Sequence, residues 1–303
     1  METARIFMAP DGTKVAYRLR SGRDGKRPLI VLLHGVASNL TRWSEFLEHT
    51  SLKNDWDILR LDLRGHGESL CRGKLNMEIW SQDLLGILEA EDYSRVVFIG
   101  HSLGAQLAIH FASRHSPRVR GLVLIDPVFE KALKGSMRWA RYLRPVIALL
   151  VAAIRLLNRL GLYRRHLPSR DLRALDERMR TTFLASGQYE AMIDRYSSVW
   201  PDLKVFPIAN YIQEIMQMVR ALPALSNIEV PVLILLSRGV TYTDPDRSRE
   251  MIMRIPDVKI VPIDAYHWPL TERPVEVREA IESWCAGLGS VDSNESKYHI
   301  RGA

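Results

Sequence analysis

The stretch RVVFIGHSLGAQLAIHFASRH, Arg95 to His115, decides how the chain is read. Val96 to Ile99 are four apolar residues in a row, the pattern of a strand covered on both faces, and from Leu103 onward apolar residues recur at helical spacing. Between the two halves, Gly100 and Gly104 flank His101, Ser102 and Leu103. A strand that turns at once into a helix holds the residue at the bend in a strained conformation that only small neighbours permit. Its side chain is exposed, and the free N–H groups of the new helix lie beside it. Ser102 is the residue placed there.

The same pattern extends outward in both directions. Residues 3 to 33 hold two strand-like pieces joined at DGT and RDGKRP, followed by the apolar run PLIVLLHG. Similar runs recur in WDILRLDLRG, RGLVLIDP, VPVLILLS and VKIVPID, and helical patterns such as NMEIWSQDLLGILEAE lie between most of them. Strands alternating with helices predict an α/β chain with a doubly wound, mostly parallel sheet, whose ligand sites lie beyond the carboxyl ends of the strands. After Asp126 the alternation stops. From Val128 to Asn227 only helix-period segments appear, divided by five prolines, which predicts an all-helical lid inserted between two strands. The expected organisation is a core of residues 1–128 and 228–287, a helical lid of 129–227, and a polar, aperiodic tail from 288 to 303 with no ordered structure.

With 47% apolar and 25% charged residues, the chain has the composition of a soluble globular protein. The N-terminal METARIFMAPDGTKVAY lacks the apolar run of a signal peptide, and Cys71 and Cys285 are far apart without metal-ligand spacing. Free thiols and a cytoplasmic location are expected. The net charge of +7 is concentrated in residues 129–227, which carry 16 Lys and Arg against 8 Asp and Glu. No nucleic-acid motif accompanies it, so an anionic membrane surface, an acidic partner or a solvated face ranks above DNA or RNA.

Ser102 on such a turn is a candidate nucleophile for acyl transfer, and the rest of the chain must then supply a base, an acid and oxyanion donors. The backbone N–H of Leu103, just after the serine, is one expected donor. Val36 N–H, in the loop after LLHG, is the other. His34 reads as part of a strand-ending turn rather than as a catalytic group. Of the remaining histidines, His49, His110, His115, His166 and His299 lie in helical or polar contexts, where partly solvated side chains are expected, and His66 is expected to shape its glycine-rich loop. His267 in IDAYHWPLTERP follows the last strand, which fits the chain order serine, acid, histidine.

LLHG, LDLRGHGES, GHSLG, GLVLIDP and HWPLTERP together resemble the α/β-hydrolase superfamily, over most of residues 1–128 and 228–287. The resemblance implies the α/β-hydrolase fold, a serine nucleophile at Ser102 and a base at His267. Members with dehalogenase or epoxide hydrolase activity carry aspartate at the nucleophile position, so Ser102 argues against both. Similar enzymes usually place the acid just past the strand matching VPVLILL, but here the first carboxylates after it are Asp244 and Asp246. A minority take it from the end of the preceding strand, which here is Asp126. Asp126 is the favoured acid and Asp244 the alternative, and a mere turn cap is the competing role for Asp126.

The expected activity is hydrolysis of a small-molecule carboxylic ester of lipophilic character, with no metal, no organic cofactor and no nucleic-acid partner. The same three groups also serve carbon–carbon bond hydrolysis or cofactor-free perhydrolysis, and a non-catalytic ligand-binding relative is the third reading. In the lid, Arg138, Arg141, Arg144, Arg155 and Arg159 fall on one side of a helix opposite Leu, Val and Ile. The ten uncharged residues from Pro145 to Ile154 are too few to span a bilayer. A helix packing its apolar side on the core is expected, with peripheral membrane contact through the basic lid as the alternative. Trp43 and Trp268 are expected to wall the pocket; Trp139, Phe183, Tyr196, Trp200, Phe206, Met216 and Met218 either line it or form the lid's own core.

Overall fold

Eight strands form one sheet in the computed structural model, which describes residues 2–22, 25–135, 142–239 and 243–298. They are β1 (Glu2–Met8), β2 (Lys14–Arg20), β3 (Leu29–Leu33), β4 (Asp57–Leu61), β5 (Val96–His101), β6 (Val119–Ile125), β7 (Val232–Ser237) and β8 (Val258–Ile263), in the order β1-β2-β4-β3-β5-β6-β7-β8. From β4 to β8 every pair is parallel; β2 runs antiparallel to both β1 and β4. Each apolar run of the sequence has become a strand.

Alternation along the strands divides the core into two layers. Leu29, Val31 and Leu33 of β3, Phe98 of β5 and Leu122 and Leu124 of β6 join one cluster. Ile30, Leu32, Val97, Ile99, Val123 and Ile125 join the other. The first layer is closed by α2 (Met77–Ala90), through Trp80, Leu84 and Ile87, and by α3 (Leu103–Ala112), which is buried along its whole length. The second is closed by α1 (Ser44–His49), through Phe46, and by the last helix through Val277, Ile281 and Cys285. Burial on both faces is why these strands read as continuous apolar runs.

The region between β6 and β7 is helical: α4 (Arg144–Arg159), α5 (Leu172–Met179), a π-turn at Arg180–Leu184, α6 (Tyr189–Ser197), α7 (Val199–Val205) and α8 (Ile208–Met218). After β7 come α9 (Pro245–Ile252), then β8, the short α10 (Pro269–Glu272) and α11 (Pro274–Tyr298). Two expectations are corrected. His110 is buried in α3 and faces Glu78 rather than solvent. The apolar stripe of α4 points away from the core, because only Ile147, Val151 and Ile154 turn inward against α8 while its leucines are exposed. Arg138, Arg141 and Trp139 lie outside the described residues.

Candidate active site

The loops after β3, β5, β6 and β8 leave the same edge of the sheet and, with the end of β7, contribute to one site. Ser102 stands at the turn between β5 and α3 with φ +52° and ψ −111°, a left-handed conformation costing of order 1–3 kcal/mol. Two anchors hold it there: its N–H donates to the Ile125 carbonyl at 2.9 Å, and its carbonyl accepts the Gln106 N–H at 3.2 Å. Glycine is required on both sides. A Cβ on Gly100 would sit 2.6 Å from the Ala105 nitrogen, and one on Gly104 2.7 Å from the His34 carbonyl oxygen.

His267 reaches Ser102 from the loop after β8, with Nε2 3.2 Å from the serine Oγ. Its other ring nitrogen, Nδ1, faces Asp126 Oδ2 at 3.7 Å, an ionic rather than a hydrogen-bonding separation. Asp126, at the end of β6 with φ +44°, is held from the neighbouring strand, accepting the Ser237 backbone N–H at 2.7 Å and the Ser237 hydroxyl. All three side chains are buried. Burial pushes His267 down to about 3, with the nearby His101 adding to the effect, so the imidazole is a neutral base at neutral pH. Burial pushes Asp126 up to about 7, opposed by the two Ser237 donors and reinforced by the charge of Glu272. Asp244 has another role: its carboxylate caps α9 by accepting from Asp246 and Arg247 N–H and faces Lys134 at 3.5 Å.

Several supporting residues escaped the sequence reading. Glu272 is buried and accepts the N–H of Tyr266 and Trp268, which pins the loop on both sides of His267. Its place five residues beyond the histidine in HWPLTERP was the available signal. His101 Nε2 donates to the His267 carbonyl at 2.9 Å, which fixes its tautomer; burial pushes it down to about 4. Glu214 of α8 is buried and accepts the Ala37 N–H at 2.9 Å, next to Val36, while its other oxygen lies 3.0 Å from His66 Nε2. That second contact lacks hydrogen-bond alignment and is ionic in character. His66, which burial alone would lower, is raised by this carboxylate. No local pattern marks Glu214, since its partners lie 177 and 148 residues away.

Val36, Ser102 and His267 border a cavity of about 180 Å³ whose other walls include Tyr196, Val199, Ile215, Met218 and Trp268. Leu103 opens α3, where its N–H has no acceptor within the helix. Trp268 is a wall as expected, but Trp43 is fully buried in the core beneath β3 and β4. Of the insertion's candidates, Tyr196 and Met218 line the cavity. Phe206 packs on the His66 ring, Phe183 joins a small cluster around Met179, Met192 and Trp268, and Trp200 is exposed. Arg42 borders the cavity and pairs with Asp176 of α5, a buried ion pair between core and insertion. Among the described residues, no group of three or more His, Cys, Asp or Glu is placed to hold a metal ion.

This architecture is that of the alpha/beta hydrolase fold, whose family model matches residues 28–274; the chain belongs to that family. It is a hydrolase of esters or related bonds. Among curated relatives, the Mus musculus sn-1-specific diacylglycerol lipase ABHD11 is 25% identical over 279 residues, covering 90% of this chain and 85% of its own. Epoxide hydrolase 3 of Xenopus tropicalis is 37% identical over 124 residues, 40% of this chain and 33% of that protein, so the shared part is about a third of that relative's length. Of solved structures, the enol-lactonase from Burkholderia xenovorans LB400 superposes with a TM-score of 0.68 at 20% identity, covering 93% of this chain and 100% of the other. A thermophilic esterase from Thermogutta terrifontis gives 0.66 at 21%, covering 94% and 99%. These two likenesses are likenesses of fold.

Proposed function

We propose that this chain is a serine esterase that cleaves a lipophilic carboxylic ester through an acyl-enzyme on Ser102. The observation that carries the reading is the alignment of three buried groups: the Ser102 hydroxyl 3.2 Å from His267 Nε2, and Nδ1 of the same ring facing Asp126. His267 takes the hydroxyl proton as Oγ attacks the ester carbon, and Asp126 stabilises the imidazolium. The N–H groups of Val36 and Leu103 receive the oxyanion, a contribution of about 3 kcal/mol per donor. The imidazolium then protonates the departing alcohol. A water activated by the same ring releases the acid in the second half of the cycle.

The apolar walls of the cavity, Trp268, Met218, Ile215 and Val199, support a lipophilic acyl or alcohol group, as does the resemblance along most of the chain to a diacylglycerol lipase. A serine in place of an aspartate at the turn favours an ester over an epoxide, despite the shorter match to an epoxide hydrolase. The test combines a fluorophosphonate probe with p-nitrophenyl esters of two to twelve acyl carbons. Wild type should be labelled and release nitrophenol with a preference for chains longer than acetate, and Ser102→Ala should do neither while keeping its thermal midpoint. An unlabelled wild type, or labelling that persists in Ser102→Ala, overturns the assignment. Labelling without acyl release at any length would favour carbon–carbon bond hydrolysis or perhydrolysis on the same serine.

A further inference from the structure

We propose that α4 is a surface-seeking helix that docks the chain on a bilayer containing anionic lipid. The proposal rests on which way the helix faces. Val146, Leu149, Leu150, Leu156, Leu157 and Leu160, bridged by the exposed Ala153, fall on one side of the helix and are 46 to 72% exposed, while the opposite face packs on α8. Soluble proteins rarely leave a continuous aliphatic stripe of this length open to water. The next turn prolongs it with Leu162, 64% exposed.

Charge identifies the occupant. Between Lys131 and Arg170 the sequence holds ten Lys and Arg and no Asp or Glu. Of these, Arg159, Arg164 and Arg165 are exposed at the carboxyl end of the stripe. A second copy of this chain would have to set the patch against itself across a twofold axis, bringing two uncompensated basic clusters together. An anionic bilayer satisfies both features at once, taking leucines at the acyl boundary and guanidinium groups at the phosphates. At 16 residues the helix is about 24 Å long, and no helix among the described residues is long and apolar enough to cross a membrane, so α4 lies in the interface plane. α8, which carries the cavity-lining Tyr211, Ile215 and Met218, would then sit one helix spacing, about 10 Å, from the lipid.

Flotation of the full chain with vesicles of 70:30 phosphatidylcholine and phosphatidylserine, against pure phosphatidylcholine, tests this directly. Binding to the anionic vesicles should be at least tenfold tighter and should fall at least tenfold between 50 and 500 mM NaCl. Leu149→Glu/Leu156→Glu should lower the partition constant at least tenfold, and Arg159→Glu/Arg165→Glu by a similar factor on anionic vesicles only. Both variants should keep the wild-type thermal midpoint. Leu149→Trp supplies a second readout, a blue shift of its emission on adding vesicles. The proposal is overturned if wild type does not float with anionic vesicles, if the leucine variant floats equally well, or if the Leu149→Trp emission stays unshifted. It is also overturned if lipid-free protein is a dimer that the leucine variant dissociates, since the stripe would then belong to a second copy.

Discussion

Replacing Asp126 by asparagine separates catalysis from stability in a way that a merely structural aspartate would not. The amide keeps an acceptor for the Ser237 N–H, and the Ser237 hydroxyl can turn to accept from Nδ2, so the local framework survives. What disappears is the charge 3.7 Å from His267 Nδ1. At an effective dielectric constant of about 20, a charge pair at that distance is worth roughly 4 kcal/mol. At about 1.4 kcal/mol per factor of ten, kcat should fall about a thousandfold. In wild type, kcat/KM should rise with pH and level off above about 7, because the protonated Asp126 cannot stabilise the imidazolium. In Asp126→Asn that limb should vanish. Stability should move the other way. A buried carboxyl whose folded pKa is raised costs nothing at low pH, where it is protonated in both states. The cost grows as pH climbs from the ordinary value of about 3.8 and is complete above about 7. Asp126→Asn should therefore raise the thermal midpoint at pH 8 and have little effect at pH 4. Steady-state kinetics with a soluble p-nitrophenyl ester and calorimetry at the two pH values measure both quantities. If Asp126→Asn stays within tenfold of wild type while Asp244→Asn loses a thousandfold, the assignment of the acid is wrong.

Further substitutions test other supports of the site. Gly104→Ala should lower the thermal midpoint sharply or abolish soluble expression, because the new methyl meets the Leu33 and His34 carbonyls, backbone that cannot move aside. Glu214→Gln should reduce kcat at least tenfold with little change in KM, through a loosened Val36 N–H. It should also destabilise by about 3 kcal/mol, since one member of a buried ion pair is removed. That loss should be greatest below about pH 6.5 and shrink as pH rises through the raised His66 value, where the neutral imidazole no longer needs the carboxylate. Ile215→Trp should fill part of the 180 Å³ cavity, sparing hydrolysis of the acetate ester while cutting kcat/KM for octanoate at least tenfold. Equal losses for both esters would mean that Ile215 does not contact the acyl chain.

The strands, the turn at Ser102 and the helix behind it were legible in the sequence because each depends on neighbours a few residues away. Four apolar residues in a row, two glycines around a serine and a 3.6-residue period specify local geometry by steric and burial rules that need no distant partner. The approach of His267 to that turn was legible for a similar reason, as a histidine between the last strand and the last helix. Which carboxylate lies beside His267 is a property of the tertiary structure: β6, β7 and β8 lie side by side, so Asp126 at the end of β6 and the loop after β8 converge, while Ser237 of β7 anchors the carboxylate between them. Glu214 was hidden because its partners belong to loops brought together only when the insertion folds onto the sheet. Periodicity likewise established that α4 has an apolar face, but a period carries no information about what that face meets. Packing against α8 claimed the Ile147, Val151 and Ile154 side and left the leucines outside.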